Sequence, residues 1–191
     1  MLNITDKTAL VVVDFQGGDL PQDTEYGGVT RPKAQAMVAA ARRSGVPVVW
    51  IQEVHKPHLQ DIGRELDGSE GPHCIETDPG TEIAWGLGPI EGEFHVKKRR
   101  YSAFFGTDLD IILKSYGVDS LILIGGFTDI CVLYTAVDAH ARDFRLAVAS
   151  DVLLGSSDQA HDDALTMITS LQPGSVVASE YVTEWLEGVL V

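Results

Sequence analysis

Leu121-Ile122-Leu123-Ile124-Gly125-Gly126-Phe127-Thr128-Asp129-Ile130-Cys131-Val132 reads as a buried strand, a glycine-rich turn and the start of a helix. Four consecutive apolar residues suit a strand covered on both faces. The segment from Leu133 to Asp143 then carries a helical pattern. A cysteine at such a strand-to-helix turn lies where unpaired N–H groups and the helix dipole favour a thiolate. A thiolate is a good nucleophile, so the position suits covalent catalysis. Most free cysteines are small buried hydrophobes, so the turn carries this reading, not the residue alone.

The same alternation of strand and helix extends in both directions. Thr8 to Asp14 is an apolar, β-branched run, and Thr30 to Ser44 follows as a helix with Thr30 as cap, Pro32 in its first turn and Gly45 at its end. Val46 to Ile51 is a second strand, Glu93 to Lys97 a weaker third, and Thr107 caps a helix running through Tyr116. Ser120 to Ile124 is strand four, Leu146 to Ser150 strand five, and Ser175 to Ala178 a short last strand. Helices over Asp158 to Leu171 and Glu180 to Leu186 complete the pattern. Repeated β-α-β order predicts an α/β fold, a three-layer α/β/α sandwich on a mostly parallel sheet. In such sheets ligands bind beyond the carboxyl ends of the strands. Asp14, Lys97, Lys98 and Cys131 all fall at that edge. Singly, Asp14 reads as a turn residue and Lys98 as a solvated lysine in the run Lys97-Lys98-Arg99-Arg100. Together they are a candidate site.

Size and composition bound the rest. A chain of 191 residues is expected to form one domain over residues 1–191, with a core that needs no disulfide or metal. The net charge of −14 argues against nucleic acid and anionic membrane surfaces as partners, since both require basic patches. No signal peptide is visible and no apolar run approaches the ~18 residues of a membrane span. Cys74 and Cys131 lie far apart, which fits a reducing compartment, so a cytoplasmic location is expected. Residues 54–92, with Pro57, Pro72, Pro79 and Pro89, are irregular apart from a short helix expected at Thr81 to Trp85. Long irregular excursions serve as lids, binding loops or subunit contacts.

A thiol nucleophile needs a proton acceptor and a stabilising charge. Asp14 can take the proton, and Lys98 can hold both partners and lower the thiol's pKa. At this point three motifs resemble the isochorismatase-like cysteine hydrolases, a superfamily that includes nicotinamidases, N-carbamoylsarcosine amidases, ureidoacrylate amidases and biuret-type hydrolases. They are Val11-Val12-Val13-Asp14-Phe15-Gln16, the stretch from Lys98 through Tyr101-Ser102-Ala103-Phe104-Phe105-Gly106-Thr107 to Leu109, and Gly125-Gly126 with Thr128, Cys131 and Val132. The resemblance covers nearly the whole chain. It implies a six-stranded parallel sheet and a catalytic triad, which falls on Asp14, Lys98 and Cys131. Lys98, not Lys97, is implied because the family lysine stands four residues before the serine of the Ser-Ala-Phe motif. The resemblance further implies a non-proline cis peptide between Gly126 and Phe127, with the N–H groups of Phe127 and Cys131 as oxyanion donors. Phe15, Gln16, Tyr101, Phe105, Phe127 and Tyr134 are the candidate substrate-contacting residues. Homodimers or homotetramers are usual in the family.

Isochorismatases proper cleave a vinyl ether and need no cysteine, so Cys131 makes this chain look like a C–N hydrolase acting on a small amide, carbamoyl or ureido compound. A vinyl-ether hydrolase and a non-catalytic binding protein on the same fold are the alternatives. Nicotinamidases carry a metal site after strand two. Here the matching residues are Glu53, His55 and His58, an incomplete ligand set, so no metal and no cofactor are expected. Neither Gly86-x-Gly88 nor Gly125-Gly126 completes a dinucleotide fingerprint. His140 and His161 are read as structural, and Cys74 as inert.

Overall fold

The computed structural model describes residues 2–18, 30–68 and 70–188. Six parallel strands form one sheet: β1 (Thr8–Val13), β2 (Val48–Glu53), β3 (Phe94–Lys98), β4 (Ser120–Gly126), β5 (Arg145–Leu154) and β6 (Val176–Val177). Their order is β3-β2-β1-β4-β5-β6. The chain therefore reverses its direction of growth between β1 and β4, and the crevice above that switch point is where such sheets bind ligands.

Alternate residues of each strand feed opposite layers. Ala9, Val11, Val13, Leu121 and Leu123 join one core, and Leu10, Val12, Ile122 and Ile124 the other. The first layer is covered by α2 (Leu109–Tyr116), α3 (Leu133–His140) and Ile168 of α4 (Asp158–Leu171). The second is covered by α1 (Arg31–Arg43) and α5 (Ser179–Leu186). The expected three-layer α/β/α sandwich on a six-stranded sheet is thus observed. No helix of the described residues is long and apolar enough to cross a membrane.

Differences from the sequence reading are local. Thr30 precedes α1 but makes no side-chain capping bond. Thr107 does accept from the Leu109 N–H at 3.2 Å. The helix expected over Thr81 to Trp85 is instead a single tight turn, Pro79–Thr81. Asp78 begins that turn by accepting from the Gly80 N–H at 2.8 Å, and Ile83 is drawn into an antiparallel bridge with Gln16, which ends any helical continuation. β4 runs two residues further than expected, through Gly125 and Gly126. Gly125 has φ +125°, and a Cβ there would sit 1.8 Å from the Val13 carbonyl oxygen, so only glycine lets β4 lie this close to the end of β1. The Gly126–Phe127 peptide is cis.

Candidate active site

Four strand ends deliver four ionisable side chains to one place. Asp14 follows β1 with φ +46°, a conformation uncommon for a residue bearing a Cβ. Glu53 ends β2 and Lys98 ends β3, directly opposite one another in the parallel register. Along β3 the alternation exposes Lys97 and turns Lys98 inward with Val96. Lys98 is fully buried. Cys131 lies in the π-helical turn Thr128–Val132 that joins β4 to α3.

Lys98 is the hub. Its Nζ lies 2.8 Å from Asp14 Oδ2 and 3.3 Å from Cys131 Sγ, and it also donates to Glu53 Oε2. Cys131 Sγ is 3.5 Å from the same Glu53 oxygen. Asp14, Glu53 and Cys131 each bring an atom within 4.8 Å of the others. A buried ammonium without anions is strongly unfavourable, so the two carboxylates are what allow Lys98 to be there.

These contacts set the proton affinities. Burial drives Asp14 above its ordinary value, and Lys98 offsets this only in part. For Glu53 burial acts in the same direction, yet hydrogen bonds from His55 and His73 and the charge of Lys98 outweigh it, holding the carboxyl well below its usual range. Burial would also lower Lys98, but Asp14, Cys131 and Glu53 raise it instead. The Cys131 thiol is pushed up by burial, with Lys98 opposing and both carboxylates adding to the rise. Lys98 lowers the thiol's pKa as expected, but burial and the two carboxylates outweigh it, so the net shift is upward. Dehydration wins, and Cys131 rests as a thiol.

Glu53 is the member sequence reasoning misses; the sequence offers it only as part of an incomplete metal-ligand set. It is 2 % exposed. Its backbone is clamped by Gln16, whose Nε2 donates to the Glu53 carbonyl at 3.0 Å while Oε1 accepts from the Glu53 N–H at 3.0 Å. A carboxylate closing a wholly buried strand beside the strand that carries Lys98 was the available signal.

Above this floor opens a cavity of ≈ 570 Å³. Of the substrate-contact candidates, Gln16 and Phe127 line it and Phe15, Tyr101, Phe105 and Tyr134 do not. Phe15 is 1 % exposed and packs in the opposite core layer. Phe105 and Tyr134 lie open on the surface, and Tyr101 packs near Tyr134 with ring centroids 5.8 Å apart. The cavity wall instead includes Glu70, His73, Cys74 and Gly80 from the irregular excursion. That excursion is tied back by His55, whose N–H donates to the Cys74 carbonyl at 2.7 Å and whose carbonyl accepts from Glu76 at 2.9 Å. Cys74, expected to be inert, is a wall residue whose thiol burial pushes up to about 12, which keeps it a poor nucleophile at neutral pH.

The excursion also completes a donor cluster. Glu53, His55, Glu65 and His73 bring four potential ligand atoms within 4.8 Å of one another. His58, the candidate from sequence, is exposed and does not join them; His73 does. His73 fixes its ring by bonding Nδ1 to the Gly71 carbonyl at 2.7 Å and points Nε2 at Glu53 Oε1, 2.8 Å away. Glu65 Oε2 is buried without a hydrogen-bond partner and lies 3.7 Å from His55 Nε2. Two imidazoles and two carboxylates at this spacing fit a zinc-like divalent ion, so an incomplete set is no longer a reason to expect none. A bound ion there would supply Lewis-acid polarisation at the cavity wall.

Comparison with known proteins agrees with this geometry. Residues 8–180 match the isochorismatase domain family. Maleamate amidohydrolase of Pseudomonas putida is 32% identical, covering 91% of this chain and 84% of that protein. The crystal structure of N-carbamoylsarcosine amidase from Thermoplasma acidophilum superposes with a TM-score of 0.77 at 34% identity, covering 91% of this chain and 97% of the other. Nicotinamidase PncA of Bacillus subtilis does so with 0.76 at 27% identity, covering 90% and 99%. The chain belongs to the isochorismatase family and is a hydrolase of that family.

Proposed function

We propose that the protein is a cysteine-dependent amidohydrolase that cleaves the C–N bond of a small amide, carbamoyl or ureido compound through a thioester. The observation that carries this reading is the buried Lys98 ammonium touching Asp14 at 2.8 Å and the Cys131 sulfur at 3.3 Å beneath an open cavity. A vinyl-ether hydrolase has no use for such a sulfur.

Asp14 is the general base. Its raised proton affinity makes it a better acceptor than a free carboxylate. Because Cys131 rests as a thiol, its proton passes to Asp14 as sulfur attacks the carbonyl carbon. The backbone N–H groups of Phe127 and Cys131 receive the developing oxyanion. Asp14 returns the proton to the departing nitrogen as the C–N bond breaks, and ammonia or an amine leaves. Water then attacks the thioester, giving a proton to Asp14. The acid product departs as the C–S bond breaks and Cys131 recovers its proton. Lys98 keeps Asp14 and the sulfur in contact and offsets charge throughout, and Glu53 holds Lys98 from the other side. Every step is carried by the chain's own groups, and Glu53, His55, Glu65 and His73 are the residues that would hold an ion beside it.

The test is ammonia release over a panel of carboxamides, ureides and carbamoyl amino acids, with Cys131→Ala alongside. Turnover that disappears in the variant supports the reading, and turnover that persists removes it. Homodimers or homotetramers and a cytoplasmic location remain part of the proposal, to be read by sedimentation and by fractionation.

A further inference from the structure

We infer that the amide taken by this cavity is uncharged or positively charged beyond its amide group, and that Glu70 is the residue that turns carboxylate-bearing amides away. The inference rests on the cysteine-hydrolase reading above and narrows its substrate.

Among the described residues, three carboxylates, Asp14, Glu53 and Glu70, line the cavity, and no lysine or arginine does. The cations nearby are committed. Lys98 is held by Asp14 and Glu53. His73 spends one ring nitrogen on Gly71 and the other on Glu53, with Glu70 Oε2 a further 3.5 Å away. Arg99 Nε pairs with Asp61 at 2.7 Å, and Arg100 donates to the Asp61 carbonyl at 2.7 Å. Residues 19–29, outside the described set, contain no lysine, arginine or histidine in their sequence.

Without an ion held by Glu53, His55, Glu65 and His73, a substrate carboxylate entering this space would give up its water with no lysine or arginine among the described lining residues to compensate, which is costly. It would also meet Glu70, whose side chain is 22% exposed and has no lysine or arginine partner among the described residues. An ammonium or N–H donor finds an acceptor there instead. The remaining wall, with Phe127 and Leu154, suits a carbon body. The maleamate named for the Pseudomonas relative carries a carboxylate and is therefore a poor match to this cavity.

Three methanethiosulfonates differing in charge, with ethylammonium, ethyl and sulfonatoethyl groups, test this on the full chain in chelator-containing buffer. Each transfers its alkylthio group to the Cys131 sulfur as a mixed disulfide and releases methanesulfinate. Rates at Cys131, followed by mass spectrometry to separate them from Cys74, are divided by rates with a free thiol. The expected order is ammonium, then ethyl, then sulfonate, with roughly three- to ten-fold per unit of charge. Glu70→Gln should narrow the spread and Glu70→Lys should invert it, the neutral reagent serving as reference within each protein. A sulfonate rate equal to the ethyl rate in the native chain overturns the inference, as does a spread unchanged in Glu70→Gln. Succinamate hydrolysed faster than butanamide overturns it too. Failure of the hydrolase reading is seen separately, as amidase activity surviving Cys131→Ala.

Discussion

The floor and the wall of this cavity are built by different means. Asp14, Glu53, Lys98 and Cys131 stand at the ends of four neighbouring parallel strands, so sheet register fixes their separations. The wall residues Glu70, His73 and Cys74 belong to an excursion with little regular structure, pinned by backbone pairing at His55 and Ile75. A sheet edge cannot shift one residue without overturning two core layers. An excursion can change composition and keep its pinning. Reaction chemistry therefore belongs to the floor, and discrimination among substrates to the wall. Variants in the two regions should fail differently.

The largest effects belong to the floor. Cys131→Ala should reduce amide hydrolysis to background with an unchanged thermal melt, because only the nucleophile is lost. Asp14→Asn should lower kcat/KM by about 10²–10⁴-fold. It should still be alkylated by iodoacetamide at raised pH, where the thiol ionises without a base. Asp14→Asn retaining near-native turnover would transfer the base role elsewhere.

Next is Lys98→Met, which leaves two buried carboxylates facing each other. Breaking a buried ion pair from one side costs about 3–5 kcal/mol, measurable by urea unfolding. The deficit depends on pH. In the native protein Glu53 is depressed below its ordinary 4.5, so its contribution is complete above that value and fades as pH falls below it. Without Lys98 the carboxylates prefer their neutral forms, and the variant should lose further ground as pH rises above about 4.5. A deficit independent of pH would mean that Lys98 acts by packing alone.

Glu53→Gln sharpens the contrast inside the floor. It keeps the shape and removes one of two anions from Lys98, so turnover should fall by roughly 10- to 100-fold through kcat. The thiol should respond in the opposite direction. Glu53 raises the Cys131 pKa, so the variant should alkylate at lower pH than the native protein. In Lys98→Ala the profile should move to higher pH. Parallel shifts in both would show that the two residues act through folding and not through charge.

Most of the floor was legible in the sequence because strands announce themselves. Apolar β-branched runs such as Thr8–Val13 and Ser120–Ile124 mark the sheet, and topology then collects whatever ends them. The choice of Lys98 over Lys97 rests on the resemblance, in which the lysine stands four residues before the serine of the Ser-Ala-Phe motif, and the alternation along β3 agrees with it. Glu53 was overlooked because its side chain reaches inward to Lys98, a direction that spacing along the chain does not display. The wall was not legible. Glu65, Glu70 and His73 lie 12 or more residues beyond Glu53 without periodicity, and only tertiary pairing brings them back. Aromatic residues misled for a related reason. Phe105 and Tyr134 flank motif positions, yet their side chains leave the cavity for the surface.

The smallest predicted effect tests the wall directly. His73 has its pKa lifted from 6.5 to about 9 by its hydrogen bond to Glu53, with burial opposing. A histidine whose pKa rises on folding contributes stability that is complete below its unfolded value, here about 6.5, and is lost as pH climbs through about 9. The ring is only partly buried, so solvent screening holds the contribution below about 1 kcal/mol. His73→Ala should therefore be less stable than the native chain at roughly pH 6 and should approach it near pH 10, as read from urea midpoints in chelator. Alkylation of Cys131 should change only a few-fold, because the sulfur's contacts with Lys98 and Glu53 are set by the strands. A stability difference constant across this range would show that His73 is not the charged partner of Glu53. Loss of alkylation as severe as in Lys98→Ala would show that the wall positions the nucleophile after all, and the division between the two regions would fail.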